Sequence, residues 1–320
     1  MKQQTFGKPP ISDRQVKVKQ TSYGLKYHSL STNEKTPEAI IRDAENIHDK
    51  HNFYMLYSGG RDSGLVAEWL AENNKLKAIV HVKTNIGMKM CEDFIEKQCK
   101  EKNWDLIILE PKPKYAYVDL VMEYGFPAPS LHRVFMARLK YHTMHRFIYH
   151  LNDKHAALVS GIRQMESKRR QKSFTTPIQN DSKLWFINPF FYYANEDMYK
   201  MRLTKNIKTS PSYDHGLNVS GDCLCGSFAD YSVKDTLRKA DPHLAGYIAW
   251  LEDGIQKYGS KQAKKYSKWA GTTRMSEMEK QTQLDQVLET FPSLKAVNNA
   301  ESQFCGSDCG PGTMKGETDF

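Results

Sequence analysis

Ser58-Gly59-Gly60-Arg61-Asp62-Ser63 follows the apolar run Phe53-Tyr54-Met55-Leu56-Tyr57 and leads into Gly64-Leu65-Val66-Ala67-Glu68-Trp69-Leu70, whose apolar residues have helical spacing. A strand, a Ser/Gly loop and a helix start together make a phosphate cradle. The glycines let the backbone approach an anion, and the first-turn N–H groups and dipole of the helix point at it. Ser58 and Ser63 add hydroxyl donors. The loop has neither the Gly-Lys-Ser/Thr ending of a Walker A motif nor a GxGxxG fingerprint. A tight turn with Ser or Asp as helix cap is the plainer alternative. The strand–helix context favours the phosphate reading.

Outward from this loop, strand and helix patterns alternate. A helix from Thr36-Pro37-Glu38 to about Lys50 has proline at its first helical position. Leu76 to Val82 reads as a second strand, 88–102 as a helix, Trp104 to Leu109 as a third strand, 131–150 as helical, and His155 to Ser160 as a fourth strand. This alternation predicts an α/β fold with a parallel sheet covered by helices on both faces. Ligands of such sheets bind beyond the carboxyl ends of the strands. Residues 58–63, 84–87 and 161–163 all belong there, which makes Thr84, Gly161 and Arg163 further candidates for nucleotide contact.

The remaining chain divides by character. Residues 1–35 are polar with Pro9-Pro10 and read as a loosely docked arm; 36–240 form the nucleotide-binding domain. Leu244, Ile248, Leu251 and Ile255 recur at helical spacing, and Leu284, Val287 and Leu288 suggest another helix, so 241–300 read as a small helical appendage. Residues 301–320 are a Cys/Gly-rich tail, disordered unless a metal or partner fixes it. With 46 basic and 37 acidic residues the chain carries a net charge of +9, which suits nucleotide phosphates or nucleic acid. No apolar run has the length of a membrane span, and Met1-Lys2-Gln3-Gln4-Thr5 opens no secretory signal. The expectation is a cytoplasmic protein with no membrane partner and reduced cysteines.

Gly161-Ile162-Arg163-Gln164-Met165-Glu166-Ser167-Lys168-Arg169-Arg170 places cationic density after a strand. Arginine offers a planar donor fork to phosphate or sulfate oxygens, Glu166 can orient an arginine or bind a ribose hydroxyl, and Lys168, Arg169 and Arg170 suit an acidic substrate. The competing reading is a solvated basic turn.

These motifs, taken in order, carry a family resemblance over roughly residues 50–250. The loop at 58–63 resembles the SGGxDS loop of the PP-loop ATP pyrophosphatases. Gly161-Ile162-Arg163 with Glu166-Ser167 resembles the GxRxxES segment of the 3′-phosphoadenylyl-sulfate (PAPS) reductase family. Asn188-Pro189 with Glu196-Asp197, and Ser210-Pro211-Ser212-Tyr213-Asp214-His215-Gly216 with Ser220-Gly221-Asp222-Cys223-Leu224-Cys225-Gly226, resemble its later segments. Tyr124-Gly125-Phe126-Pro127-Ala128-Pro129 with His132 and Leu139-Lys140 is similar to archaeal, phage and DNA-phosphorothioation members, and makes His132 a candidate for substrate contact.

The resemblance implies a five-stranded parallel sheet of the adenine nucleotide α-hydrolase type. It also implies ATP with Mg²⁺ over Ser58, Gly59, Gly60, Arg61, Asp62 and Ser63, with Asp62 holding the metal or ordering the loop and Arg163 neutralising the α-phosphate. The implied function is ATP pyrophosphatase activity that adenylates an acceptor, in sulfur transfer. The sulfur would come from a donor such as a cysteine desulfurase or thioredoxin-like protein. A sulfonucleotide reductase or sulfotransferase using Cys305 is the alternative, and a non-catalytic nucleotide- or nucleic-acid-binding subunit a third. Phe304-Cys305-Gly306-Ser307 keeps only Cys-Gly of the reductases' Glu-Cys-Gly-Leu-His tail, which counts against reduction.

The cysteine pairs admit three readings. Cys223 and Cys225 with Cys305 and Cys309 could hold Zn²⁺ or an iron–sulfur cluster. Relatives with a cluster draw a cysteine from the segment where this chain has Val134-Phe135-Met136. Alternatively Cys305 is a redox nucleophile, or Cys223 and Cys225 pack their loop and the tail pair is incidental. Cys91 and Cys99 read as packing residues. His142, His145 and His150 lie in an aromatic helical stripe and read as interior or surface residues.

Overall fold

The computed structural model describes residues 18–20, 26–28, 34–166, 176–181, 184–229 and 231–271. Five strands run parallel: β3 (Asn52–Leu56), β4 (Leu76–Val82), β5 (Leu106–Leu109), β6 (Ala156–Val159) and β8 (Leu184–Ile187). They are the expected parallel core, but the sheet is larger than five strands. β7 (Ile178–Asp181) pairs antiparallel with β8, and β1 (Val18–Gln20) and β2 (Lys26–His28) extend that edge, giving the order β1-β2-β7-β8-β6-β3-β4-β5. The expectations for 1–35 and for β7–β8 had no strand in them, because three- and four-residue segments carry too little alternation to read.

Period-two alternation assigns each strand residue to a face. Phe53, Met55, Ile79, Ala157 and Val159 pack under α1 (Pro37–His48), α2 (Arg61–Glu72) and α3 (Lys89–Lys102). Tyr54, Val80, Val82, Leu158 and Phe186 pack on the other face against Tyr141, Met144 and Ile148. Those three belong to one long helical run: α5 (His132–Met136), a π-helical turn Ala137–Tyr141, and α6 (His142–Leu151). Helices on both faces follow from strands that are apolar on both sides. α1 begins as its sequence predicts, with Pro37 in the first turn and the Thr36 hydroxyl accepting from the Ala39 N–H at 3.2 Å.

A third core is helical and is not contiguous in sequence. α4 (Tyr117–Tyr124) and α5 join α8 (Tyr231–Ala240), α9 (Pro242–Tyr258) and α10 (Lys261–Lys265) around Phe126, Phe135, Leu251 and Trp269. The segment 217–229, with Cys223 and Cys225, is wrapped inside it. The helix expected at 244–255 is present as α9; the one expected around Leu284 to Leu288 lies outside the described residues. α7 (Asn195–Thr204) packs against α2.

Candidate functional site

From β3 the chain moves outward through β4 to β5, then returns to the other side of β3 with β6. The loops after β3 and β6 therefore diverge, and a crevice opens between them at the carboxyl ends of the strands. Ser58, Ser63, His81, Lys140, Gly161 and Asp222 are among its lining residues.

The loop at 58–63 is shaped for an anion. Gly59 has φ +75°, a conformation that favours glycine, and a Cβ there would crowd the side chains of Phe94 and Ile95 at 3.3 Å. Gly60 is the N-cap of α2 and no side chain caps that helix, which leaves the first-turn amides available to a ligand. Ser63 Oγ donates to the Gly60 carbonyl at 3.2 Å and lies 3.1 Å from Ser58 Oγ. From the far side Ser210 N–H donates to the Gly59 carbonyl at 2.9 Å, so the Ser210-Pro211 segment braces the loop. A Cβ on Gly161 would come within 3.1 Å of Asp62 C and Ser63 N, and glycine there lets the two loops touch.

Asp62 and Arg163 come together, though not as groups facing the crevice. Arg163 donates through Nε (3.1 Å) and Nη2 (2.7 Å) to Asp62 Oδ2, and through Nη1 to Asn195 Oδ1 at 2.8 Å. Arg202 Nη1 donates to Asp62 Oδ1 at 2.7 Å. Both carboxylate oxygens are thus taken by guanidinium groups in a buried cluster, and Asp62 does not fit a Mg²⁺ ligand in this arrangement. The two ion pairs tie the loop to the segments that carry Arg163 and Arg202. Arg163 is equally committed and does not line the crevice. Its guanidinium joins the 58–63 loop, through Asp62, to the start of α7, through Asn195. Arg61 stacks over Tyr213 at 4.1 Å.

The cation lining the crevice is Lys140, 3.2 Å from Asp222 Oδ2. Burial pushes the Asp222 carboxyl up, but Lys140, His81 and the Ser220 hydroxyl outweigh it and hold the group below 3.8. Burial pushes His81 below its usual 6.5, so the ring is neutral at neutral pH. Its Nδ1 meets the Tyr57 carbonyl at 3.0 Å and its Nε2 is buried without a hydrogen-bond partner. Thr84 is fully buried and donates to the Asp222 carbonyl at 3.3 Å, which makes it a support for Asp222. Sequence reasoning missed His81, Asp222 and Arg202 as site residues. The legible signal was His81, an imidazole interrupting an otherwise apolar run at the carboxyl end of a strand.

Behind Asp222 lie the thiols. Cys223 is pulled down to about 7, chiefly by its hydrogen bond with Cys225 and against burial. Cys225 Sγ is 3.4 Å from His132 Nδ1, and Ser227 Oγ is 3.1 Å from the same nitrogen. His132 is buried beside Cys225, behind the crevice rather than in it. Cys91 and Cys99 are buried thiols pushed up to about 11, in keeping with packing roles. Glu166 ends a short 3-10 turn, half-buried. Lys168, Arg169, Arg170, Cys305 and Cys309 lie outside the described residues, so the four-cysteine site is represented by one pair. Among the described residues, the trio with metal-ligand spacing is Asp49, His51 and His155, at the opposite end of the sheet. No helix among them is long and apolar enough to cross a membrane.

Residues 52–228 match the model of the phosphoadenosine phosphosulfate reductase domain, more than half of the chain. The chain belongs to this family. Solved structures with a similar fold include a PAPS reductase from Candida auris (17% identity, 59% of this chain and 89% of that one, TM-score 0.44). An NH3-dependent NAD synthetase from Campylobacter jejuni is another (17% identity, 75% and 96%, TM-score 0.40). A Candida glabrata FMN adenylyltransferase is a third (16% identity, 57% and 61%, TM-score 0.38), and the chain spans less than two thirds of its length. The comparison with curated proteins yields no match. The family assignment rests on the matched domain.

Proposed function

We propose that this PAPS reductase-family protein is an ATP pyrophosphatase that adenylates an acceptor and serves sulfur transfer. The observation that carries the reading is the uncapped amino terminus of α2 behind Gly59 and Gly60, open to the crevice at the sheet's switch point. First-turn amides with the Ser58 and Ser63 hydroxyls bind the outer phosphates, and the buried Asp62–Arg163–Arg202 cluster keeps these donors in place. Lys140 supplies positive charge where the α-phosphate would sit. An acceptor oxygen attacks the α-phosphorus, the bond to the bridging oxygen breaks, and pyrophosphate leaves with the electron pair. Hydrosulfide-level sulfur then displaces AMP from the adenylated acceptor.

Mg²⁺ would be held by the phosphates, since Asp62 is engaged elsewhere. Zn²⁺ or a cluster would take Cys223 and Cys225, neighbouring thiols that hydrogen-bond to each other, as two of its ligands. Such a group would hold sulfur next to the crevice.

Labelled ATP is the test. Formation of AMP and pyrophosphate in the presence of acceptor supports adenylation. Sulfite released from a phosphosulfate, with ATP left intact, would transfer the assignment to reduction. ATP binding without any product would make the protein a nucleotide sensor.

A further inference from the structure

At the amino end of the sheet, away from the crevice, two turns meet. Asp49 and His51 lie between α1 and β3, and His155 lies between α6 and β6. β3 and β6 are adjacent and parallel, with Asn52 opposite Ala156 at their first residues. His51 and His155 immediately precede that pair and are fastened side by side. The His51 and Asn52 N–H groups both donate to the His155 carbonyl, at 3.0 and 3.1 Å. The two imidazoles lie 5.6 Å apart, centroid to centroid.

Asp49 completes the group. It ends α1 in the left-handed region at φ 54°, and the Lys50 N–H closes that turn on the Ala44 carbonyl at 3.0 Å. The turn sets the carboxylate against both rings, with Oδ1 3.1 Å from His51 Nε2 and Oδ2 3.2 Å from His155 Nδ1. His155 Nδ1 is also 3.0 Å from the Asp49 carbonyl, so the ring is held from the backbone as well. One donor atom from each of the three residues lies within 4.8 Å of the other two. Metal bonds of about 2.0–2.2 Å in a tetrahedral shell put neighbouring ligand atoms about 3.3–3.6 Å apart. The donors therefore have about 1.5 Å to close at most.

The surroundings leave the group to itself. Lys50 is turned away, its ammonium donating to the Lys154 carbonyl and lying over the Trp185 ring. Asp153 accepts from Asn52 Nδ2 at 2.7 Å and from the His155 N–H at 2.8 Å, which braces the second turn. Asp49 and His51 are exposed and His155 is half-buried, so an ion can enter and water can fill its remaining positions. Two imidazoles and a carboxylate are ligands for a divalent transition ion such as Zn²⁺; Mg²⁺ and Ca²⁺ call for more oxygen than one carboxylate supplies.

We propose that Asp49, His51 and His155 form a Zn²⁺-type metal site that clasps the amino ends of β3 and β6. The same two strands carry at their other ends the loops whose residues Ser58, Ser63 and Gly161 line the crevice. An ion here is structural: it fixes the strand pair on which the crevice opens, from the far end of the sheet. The site stands on its own residues and does not depend on the adenylation reading.

The experiment uses the full chain, stripped with EDTA, and the metal alone as probe. Zn²⁺ calorimetry should show one more site per chain in the wild type than in His51→Ala/His155→Ala, and His155→Ala alone should weaken that site about a hundredfold or more. Zn²⁺ at about 100 times its Kd should raise the wild-type unfolding temperature by about 4 °C or more beyond any rise in the double variant. Without metal the two proteins should unfold within about 3 °C of each other, because ion pairs this exposed contribute little. Co²⁺ separates these ligands from thiolates. The part of its spectrum lost with the two histidines should contain visible bands and no thiolate charge-transfer band, and it should persist in Cys223→Ser/Cys225→Ser. Zn²⁺ titrations that are alike in the wild type and the double histidine variant overturn the proposal. So does a Co²⁺ spectrum that disappears with the cysteines and not with the histidines. A chain that binds Zn²⁺ here and fails to bind ATP would refute the proposed function and leave this site standing.

Discussion

On one side of the phosphate loop Asp62 is closed in by Arg163 and Arg202; on the other, Lys140, His81 and Asp222 line an open crevice. Both sides are ionic and both are buried, yet they are built for different ends. In the first cluster every carboxylate oxygen is matched by a donor and nothing is left for a ligand. In the second, an imidazole nitrogen is left without a partner and a lysine shares its charge with the pocket. The charged residues of the loop motif hold the loop, whereas the ionisable side chains that line the crevice arrive from β4, the π-turn and the 217–229 segment.

The largest effect expected from this contrast is on stability. Asp62→Ala strands two guanidinium groups, one of them almost wholly buried, and should cost about 3–5 kcal/mol in urea unfolding. A loss below about 1 kcal/mol would dissolve the distinction between the two sides. Arg163→Lys keeps a charge but cannot reproduce the fork to Asp62 and Asn195, so it should fall between that variant and wild type.

Lys140→Met probes the crevice side. Removing the ammonium should lower ATP affinity about tenfold and destabilise the fold by about 1.5–3 kcal/mol, because Asp222 keeps only Ser220 and His81. The pH dependence carries the sign. In the wild type the Asp222 carboxyl is depressed, so its contribution is complete above 3.8 and is lost as pH falls through its lower folded value. In the variant burial prevails and pushes the same carboxyl up. The stability gap between the two proteins should therefore narrow as pH falls, first above 3.8 as the variant's raised carboxyl takes up its proton and then below it as the wild-type carboxyl does. A gap that stays constant from neutral to acid pH would show that the pair is not coupled as drawn.

Arg202→Ala should do less than either. Arg202 is the more exposed of the two arginines on Asp62, and Arg163 remains to satisfy the carboxylate. A loss of about 1 kcal/mol, with ATP affinity unchanged, is expected. If ATP affinity fell with Arg202 and not with Lys140, the crevice would have to be redrawn on the α7 side.

Much of this was readable along the chain, and for definite reasons. Four of the five parallel strands (β3, β4, β5 and β6), α1, α2, α3 and α9 were legible because each carries either an apolar period or a cap such as Thr36-Pro37, whereas β8 was not. The phosphate loop was legible because Gly59 requires a positive φ that few residues tolerate. What escaped was pairing over distance. Asp62 and Arg163 were both named, but their bond spans 101 positions, and Arg202 reaches the same carboxylate across 140. Nothing local distinguishes an arginine that binds phosphate from one that binds an aspartate. The helical core escaped for the same reason: α4 and α5 join helices that lie about a hundred residues further on.

The smallest predicted change concerns a single proton. Cys223 sits far below the two packing thiols, and its hydrogen bond with Cys225 is the largest cause, with Lys140 adding to it. Cys225→Ala removes that donor while burial stays, so the Cys223 thiol should climb back toward or beyond 9.0. Thiolate absorbance near 240 nm, followed against pH, reads this directly in the metal-free chain. The wild type should show one thiol titrating near neutrality, and the variant none below the ordinary cysteine range, with the unfolding midpoint in urea almost unmoved. Lys140→Met should raise the same thiol by a smaller amount, since the lysine acts through space and not through a bond. If Lys140 moved the thiol more than Cys225 did, the poise of Cys223 would be a property of the crevice that Lys140 lines, and a nucleotide bound there would be expected to shift it as well.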